Sequence, residues 1–191
     1  MIEVMVTLTI MGILMVLFTT GILQVYTAEN RVESATYGQG QVVTAFQRLD
    51  RTVRYASGIS QPAVYSGDAY VEWVTTNTGT AVCTELRLHT ANQQLQMRTW
   101  NQGMSPLVPS AWKPLAAQIT PKTLPLSATS PFNLSNANAS FDYERLEILI
   151  TATSGRNNNK QPKSSDVTFT ALNTSHSTSS TTVCTEGRVV P

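Results

Sequence analysis

The sequence predicts an α+β chain: a long N-terminal helix, membrane-spanning over its first half, packed on an antiparallel β-sheet domain. Three observations carry its two parts, the helix and the strands. No charged side chain occurs between Val4 and Ala28; a helical spacing of apolar residues continues well past that run; and after Gly58 the spacing changes to the two-residue alternation of strands. The segments that follow are 1–28, a transmembrane N-terminal helix; 29–58, its amphipathic continuation; and 59–191, an extracytoplasmic β-rich globular domain.

The first segment reads MIEVMVTLTIMGILMVLFTTGILQVYTAEN. At about 1.5 Å per helical residue, the 25 uncharged positions cover roughly 37 Å, more than the ~30 Å of a bilayer's hydrocarbon core. A cleaved secretory signal is the competing reading. It would place lysine or arginine ahead of a shorter apolar core and small residues before the cut. Here an acid, Glu3, comes first, and Tyr26 stands where cleavage after Ala28 would want a small residue. The expectation is a single-pass membrane helix with one external domain beyond it. Glu3 is the anomaly within it, because a carboxylate held in lipid costs up to about 3 kcal/mol and calls for a partner.

In QVVTAFQRLDRTVRYASGIS, residues Val42, Phe46, Leu49, Val53 and Ala56 are spaced 4, 3, 4 and 3, along one helical face. Arg48, Asp50, Arg51 and Arg54 fall on the other sides. The intervening ENRVESATYGQGQ is polar and contains Gly38 and Gly40 but no proline. Two drawings fit these residues: one helix of about 55 residues, or a transmembrane helix, a short linker and a separate first helix of the domain.

Beyond Gly58 the elements are short. VEWVTTN alternates Val71 and Trp73 with polar neighbours, VCTELRLH does the same with Val82, Leu86 and Leu88, and QLQMRTW with Leu95 and Met97. ANQ between the last two predicts a hairpin turn. Residues 101–140, rich in proline, serine and asparagine, read mainly as loop, with Trp112, Leu115 and Ile119 as contacts to the core. YERLEILITAT and DVTFTALN form a second expected hairpin joined by the polar SGRNNNKQPKSS. The tail TSHSTSSTT is of low complexity, and mobile unless something ties it down.

The two cysteines, Cys83 and Cys184, each sit in the tetrapeptide VCTE. Two cysteines in an external domain invite a bridge, which would pin the tail to the first hairpin; the other reading is two unpaired buried thiols. At 191 residues the chain is long enough for one domain beyond its anchor. A net charge of +1 supplies no basic field, so direct nucleic-acid binding is not supported. Residues for catalysis are sparse. His89 and His176 lack an acid and nucleophile at a recognised spacing and read as solvated. Asp142, Glu144 and Glu147 read as strand decoration, and there is no phosphate loop, HExxH or CxxC pair. No enzyme, cofactor or metal site is expected. Tyr65, Tyr70, Trp73, Trp100 and Trp112 fit either a sugar-binding surface or ordinary packing.

With these residues in view, the opening resembles the N-terminal segment of type IV pilins and pseudopilins, whose precursors read glycine, then FTLIE, then a long apolar helix. Ile2, Glu3 and Val4 fit that pattern, and Met1 stands where leucine is usual. FQRLDRTVRYASGIS, followed by strands, a tryptophan and a final hairpin ending VTFTALN, looks like the minor pseudopilins of the type II secretion J class. The resemblance implies a long N-terminal helix packed on an antiparallel sheet, a domain outside the cytoplasmic membrane, and a structural subunit that helps to start or cap a pilus-like filament, with other pilin subunits and the membrane as partners. It also implies an assembly role for Glu3, whose family counterpart pairs with the N-terminal amine of a neighbouring subunit. A prepilin peptidase is expected to process the full-length precursor, so the codons before Met1 are expected to encode a basic leader, glycine and phenylalanine.

Two other classes fit the same residues. One is a minor pilin whose exposed loops bind a surface or ligand, through SGRNNNKQPKSS and the proline-rich middle. The other is an unrelated single-pass membrane protein with an external binding domain.

Overall fold

One helix, α1, runs without a break from Ile2 to Val53. This is seen in a computed structural model that describes residues 2–77, 79–154, 161–178 and 182–190, and their side chains at all positions but 31, 33–35, 37, 38, 154 and 161. The polar stretch with Gly38 and Gly40 does not interrupt it, so the single-helix drawing is the one adopted. Its threonines suit an apolar setting: the hydroxyls of Thr7, Thr9, Thr19, Thr20 and Thr27 each bond a carbonyl three or four residues back. The helix ends at Val53, earlier than residue 58. Ala56 keeps its place in the core, but as the first residue of a strand.

Among the described residues ten strands follow, all pairs antiparallel. The first sheet holds β1 (Ala56–Ile59), β2 (Ala63–Tyr65), β3 (Asp68–Thr75), β4 (Val82–His89), β5 (Gln94–Asn101) and β6 (Lys113–Ala117). Its order is β1-β3-β4-β5-β6, with β2 also on β3. The second holds β7 (Ile119–Pro121), β8 (Phe132–Ser135), β9 (Glu144–Ser154) and β10 (Gln161–Ala171), in the order β10-β9-β7 with β8 also on β9. The region 101–140, expected to be mainly loop, therefore contributes β6, β7 and β8. Prolines 106, 109, 125 and 131 mask short strands that tertiary pairing stabilises. Ile119 is buried and Leu115 packs at the core margin, as expected of them.

The second half of α1 lies against both sheets. Val42, Ala45, Leu49 and Val53 meet Val71, Trp73, Leu86, Leu88, Leu95 and Met97 from the first sheet and Leu146, Ile148, Ile150 and Phe169 from the second. Phe46 sits at the margin, its ring edge-on to Phe169 at 5.9 Å. Polar seams close the arrangement. Gln41 Oε1 accepts the Ala117 amide at 3.1 Å, and the helix end gives its Arg54 carbonyl to the Leu172 amide at 2.9 Å. Glu144, read from sequence as decoration, is buried: its carboxylate accepts the Ile59 amide at 2.9 Å and so joins β9 to β1.

The predicted hairpins are β4–β5 and β9–β10. Of the connector SGRNNNKQPKSS, residues 155–160 lie outside the described residues, and Gln161 to Ser165 already belong to β10. Of the tail, residues 179–181 lie outside them too. Its beginning is anchored: buried Thr174 accepts the Glu144 amide and donates to the Ala171 carbonyl.

Candidate assembly helix and a strap-covered ionic face

The residues that carry chemistry fall in two places. The first is α1 itself. Ile2–Asn30 is long and apolar enough to cross a membrane and is exposed throughout. None of the described residues covers it, and an apolar surface of this extent is stable only in lipid or against other apolar helices. Glu3 lies in its first turn, and among the described residues its carboxylate has no ion-pair partner. The helix thus has two environments: lone and apolar to residue 30, one-faced and buried from Val42 onward.

The second place is the outer face of the first sheet, and it was not foreseen. Strand alternation sends Val71, Trp73, Leu86, Leu88, Leu95 and Met97 inward to α1. The residues between them point away and form cross-strand rows: Val74, Cys83 and Trp100; Glu72, Glu85 and Arg98; Tyr70, Arg87 and Gln96. On an open sheet these would be solvated. Instead Glu72, Glu85, Arg98, Cys83 and Trp100 are buried, because residues 182–190 return across this face as a strap ending in a short 3-10 turn, Thr185–Val189.

The strap is held by contacts of different kinds. The disulfide Cys83–Cys184 joins strap to β4, with Cα atoms 5.7 Å apart. Arg188 inserts beside Glu72, its Nε 2.7 Å from Oε1, and donates to the Gln61 carbonyl at 2.6 Å. Arg98 pairs with Glu85 at 2.6 Å and donates to the carbonyls of Gly187 and Val190, each at 2.7 Å. Trp100 donates its indole N–H to Glu186 at 3.1 Å. Gly187 rests on the Trp100 ring, and a Cβ built there would collide with it, so only glycine fits.

The electrostatics explain why the strap carries an arginine. Glu72 and Glu85 lie directly opposite one another on β3 and β4, an arrangement that repels. Arg98 bonds Glu85, with Arg87 adding a weaker attraction, and Arg188 bonds Glu72. Burial still pushes both carboxyls upward against the pull of these arginines, Glu85 to about 7. Trp112, on the approach to β6, lies with its ring 3.9 Å from the Arg87 guanidinium and 4.0 Å from that of Arg98.

The aromatic residues do not form one surface. Trp73 is in the main core, Trp100 under the strap, Tyr70 buried beside Arg87, and Tyr65 exposed on β2. His89 is partnered: its Nδ1 lies 2.7 Å from Asp68 Oδ2, whose other oxygen accepts the Thr90 amide. The Thr90 hydroxyl also donates to that oxygen, at 3.1 Å, and among the described residues no hydroxyl or thiol is bonded to the ring itself. His176 stays exposed, 3.6 Å from Asp142. Cys83, Cys184 and Glu186 cluster tightly enough to suggest metal ligands, but the two sulfurs are bonded to each other. Comparison with protein-family models, curated proteins and solved structures finds no match.

Proposed function

We propose that the chain is a minor pilin-like, pseudopilin-type structural subunit that helps to initiate or cap a type IV pilus-like or type II secretion filament. The observation that carries this reading is the division of α1. One unbroken helix is bare and apolar over Ile2–Asn30 and packed on an antiparallel domain over its last turns. A simple anchor needs neither that continuity nor a carboxylate in its first turn. A helix that leaves the membrane to pack among neighbouring helices uses both. The role is structural and not catalytic, with other pilin subunits as partners and the domain on the outer side of the cytoplasmic membrane.

Glu3 is the residue on which the reading turns. Its carboxylate gains nothing by insertion, so its benefit comes from a cation on a neighbour, and pairing in a low-dielectric setting sets the stagger of one helix against the next. The test is crosslinking of Glu3→Ala and Glu3→Gln full-length precursors to other pilin subunits in membranes, beside a filament or secretion assay. Both variants are expected to be made and inserted yet poorly incorporated, Gln nearly as poorly as Ala because it keeps shape and loses charge. Assembly of Glu3→Ala at the wild-type level would remove the carboxylate's role, and a wild-type chain that does not crosslink to pilin subunits would return the protein to the class of unrelated single-pass proteins.

A further inference from the structure

The surroundings of Glu72 form a site shaped for a guanidinium. Both carboxylate oxygens meet Arg188, and the same Nη2 also donates to Ser60 Oγ at 3.2 Å and to the Gln61 carbonyl at 2.6 Å. The walls exist without the strap. Ser60 and Glu72 are linked to each other by the Ser60 amide on the Glu72 carbonyl, the Glu72 amide on Ser60 Oγ, and the Ser60 hydroxyl on the carboxylate. The strap contributes nothing to the main core, whose last member in the chain is Ala171. Of its apolar residues, Val183 and Cys184 join a small separate cluster with Val74, Cys83 and Trp100, while Val189 stays exposed. Cys184 is held at a φ of 58°, a conformation disfavoured for any residue with a Cβ. Such a segment can leave while the rest of the domain stays folded.

We propose that Glu72, Ser60 and Gln61 form an exchangeable guanidinium-binding site, plugged by the chain's own Arg188 and opened to the C-terminal segment of a second copy when the Cys83–Cys184 bond is reduced. A dithiol supplies the two electrons and two protons: the S–S bond breaks, two thiols form, and the dithiol becomes a cyclic disulfide. Residues 182–190 then lose their tether. The emptied site leaves Glu72 facing Glu85, whose carboxylate holds Arg98, and takes from Glu72 the arginine bonded to it, so the uncovered face attracts an arginine back. The occupant is a second copy's segment because the features that fit are this chain's own: Arg188 for the carboxylate, Gly187 for the Trp100 ring, and Glu186 for the indole N–H.

The test uses the full chain in detergent micelles, carrying Cys83→Ser, Cys184→Ser and Arg188→Gln, which lacks bond and plug but keeps the site. The probe is a fluorescent synthetic peptide of residues 182–190 carrying Cys184→Ser. It is expected to bind this variant at least ten-fold more tightly than the same peptide with Arg188→Gln, to lose that advantage when Glu72→Gln is added to the chain, and not to bind the oxidised wild type. Equal binding of the two peptides, or no binding to a variant with wild-type circular dichroism, overturns the proposal. If the triple variant does not fold, hydrogen exchange is followed in the wild-type chain before and after dithiothreitol. Exchange at least ten-fold faster in 182–190, with β3 to β5 unchanged, supports an opening strap; no change, or loss of protection in the strap and sheet together, overturns it.

Discussion

The two faces of the first sheet are built from the same strands and stabilised by different physics. The inner face is apolar and meets α1, and each contact works through the removal of apolar surface from water. The outer face is a grid of charges in which Glu72 and Glu85 would repel were Arg98 and Arg188 not placed against them. Inner-face burial tolerates small displacements. The outer face depends on geometry, since a buried ion pair missing one member leaves an uncompensated charge. One side of the sheet therefore sets how stable the domain is, and the other sets where one distant segment must lie.

Deleting bulk on the inner side tests the first half of that contrast. Trp73→Ala empties the largest side chain among those fully buried, and is expected to cost about 3–5 kcal/mol with a matching fall in the denaturant midpoint. An equal loss from Trp100→Ala, under the strap, would erase the distinction between the faces.

On the outer side, Cys83→Ser with Cys184→Ser releases a bridge spanning 101 residues. The loss is expected to be about 2–4 kcal/mol, with limited proteolysis cutting first near the strap while the sheet stays intact. Cleavage beginning instead in β3 to β5 would show that the strap supports the whole domain.

Protonation gives the smallest effect and the sharpest. Folded Glu85 titrates near 7, whereas an unfolded glutamate titrates near about 4.3. Between those values the folded chain holds a proton that the unfolded chain has released. The contribution is complete below about pH 4.3 and is lost as pH rises through 7. Glu72 moves in the same direction. The groups facing Glu85 are Arg98, Glu72 and Arg87, and none of them removes the burial that causes the shift. Melting of the bridged protein should therefore fall between pH 5 and pH 8, and Glu85→Gln should flatten that slope. An unchanged slope in the variant would place the titration elsewhere.

What could be read from the residues divides along the same line. The inner face was legible because Val71, Trp73, Leu86, Leu88, Leu95 and Met97 announce it by local alternation, and α1 because its apolar spacing spans many turns. β6 to β8 were not, since strands of three to five residues among prolines owe their form to their neighbours. The ionic face was hidden for another reason. Glu72, Glu85 and Arg98 look like solvent-side residues, and their cover arrives from about 100 positions downstream. Two clues were present: Trp100 alternates in phase with Arg98 on one strand as Cys83 does with Glu85 on the other, and the bridge from Cys83 to Cys184 requires the tail to reach that face. Glu144 misled in the same way, its partner amide being 85 residues earlier in sequence.

The continuity of α1 also has a mechanical side. At about 1.5 Å per residue its 52 residues make a rod of roughly 78 Å, with the globular part gripping one end. A rod without a joint is a lever. A tilt of about 10° at the apolar end carries the far end roughly 13 Å sideways, and a turn about its axis swings both sheets through the same angle. Displacement and torque applied at the apolar end would thus be passed on to the domain, which a flexible linker at Gly38 and Gly40 would have absorbed.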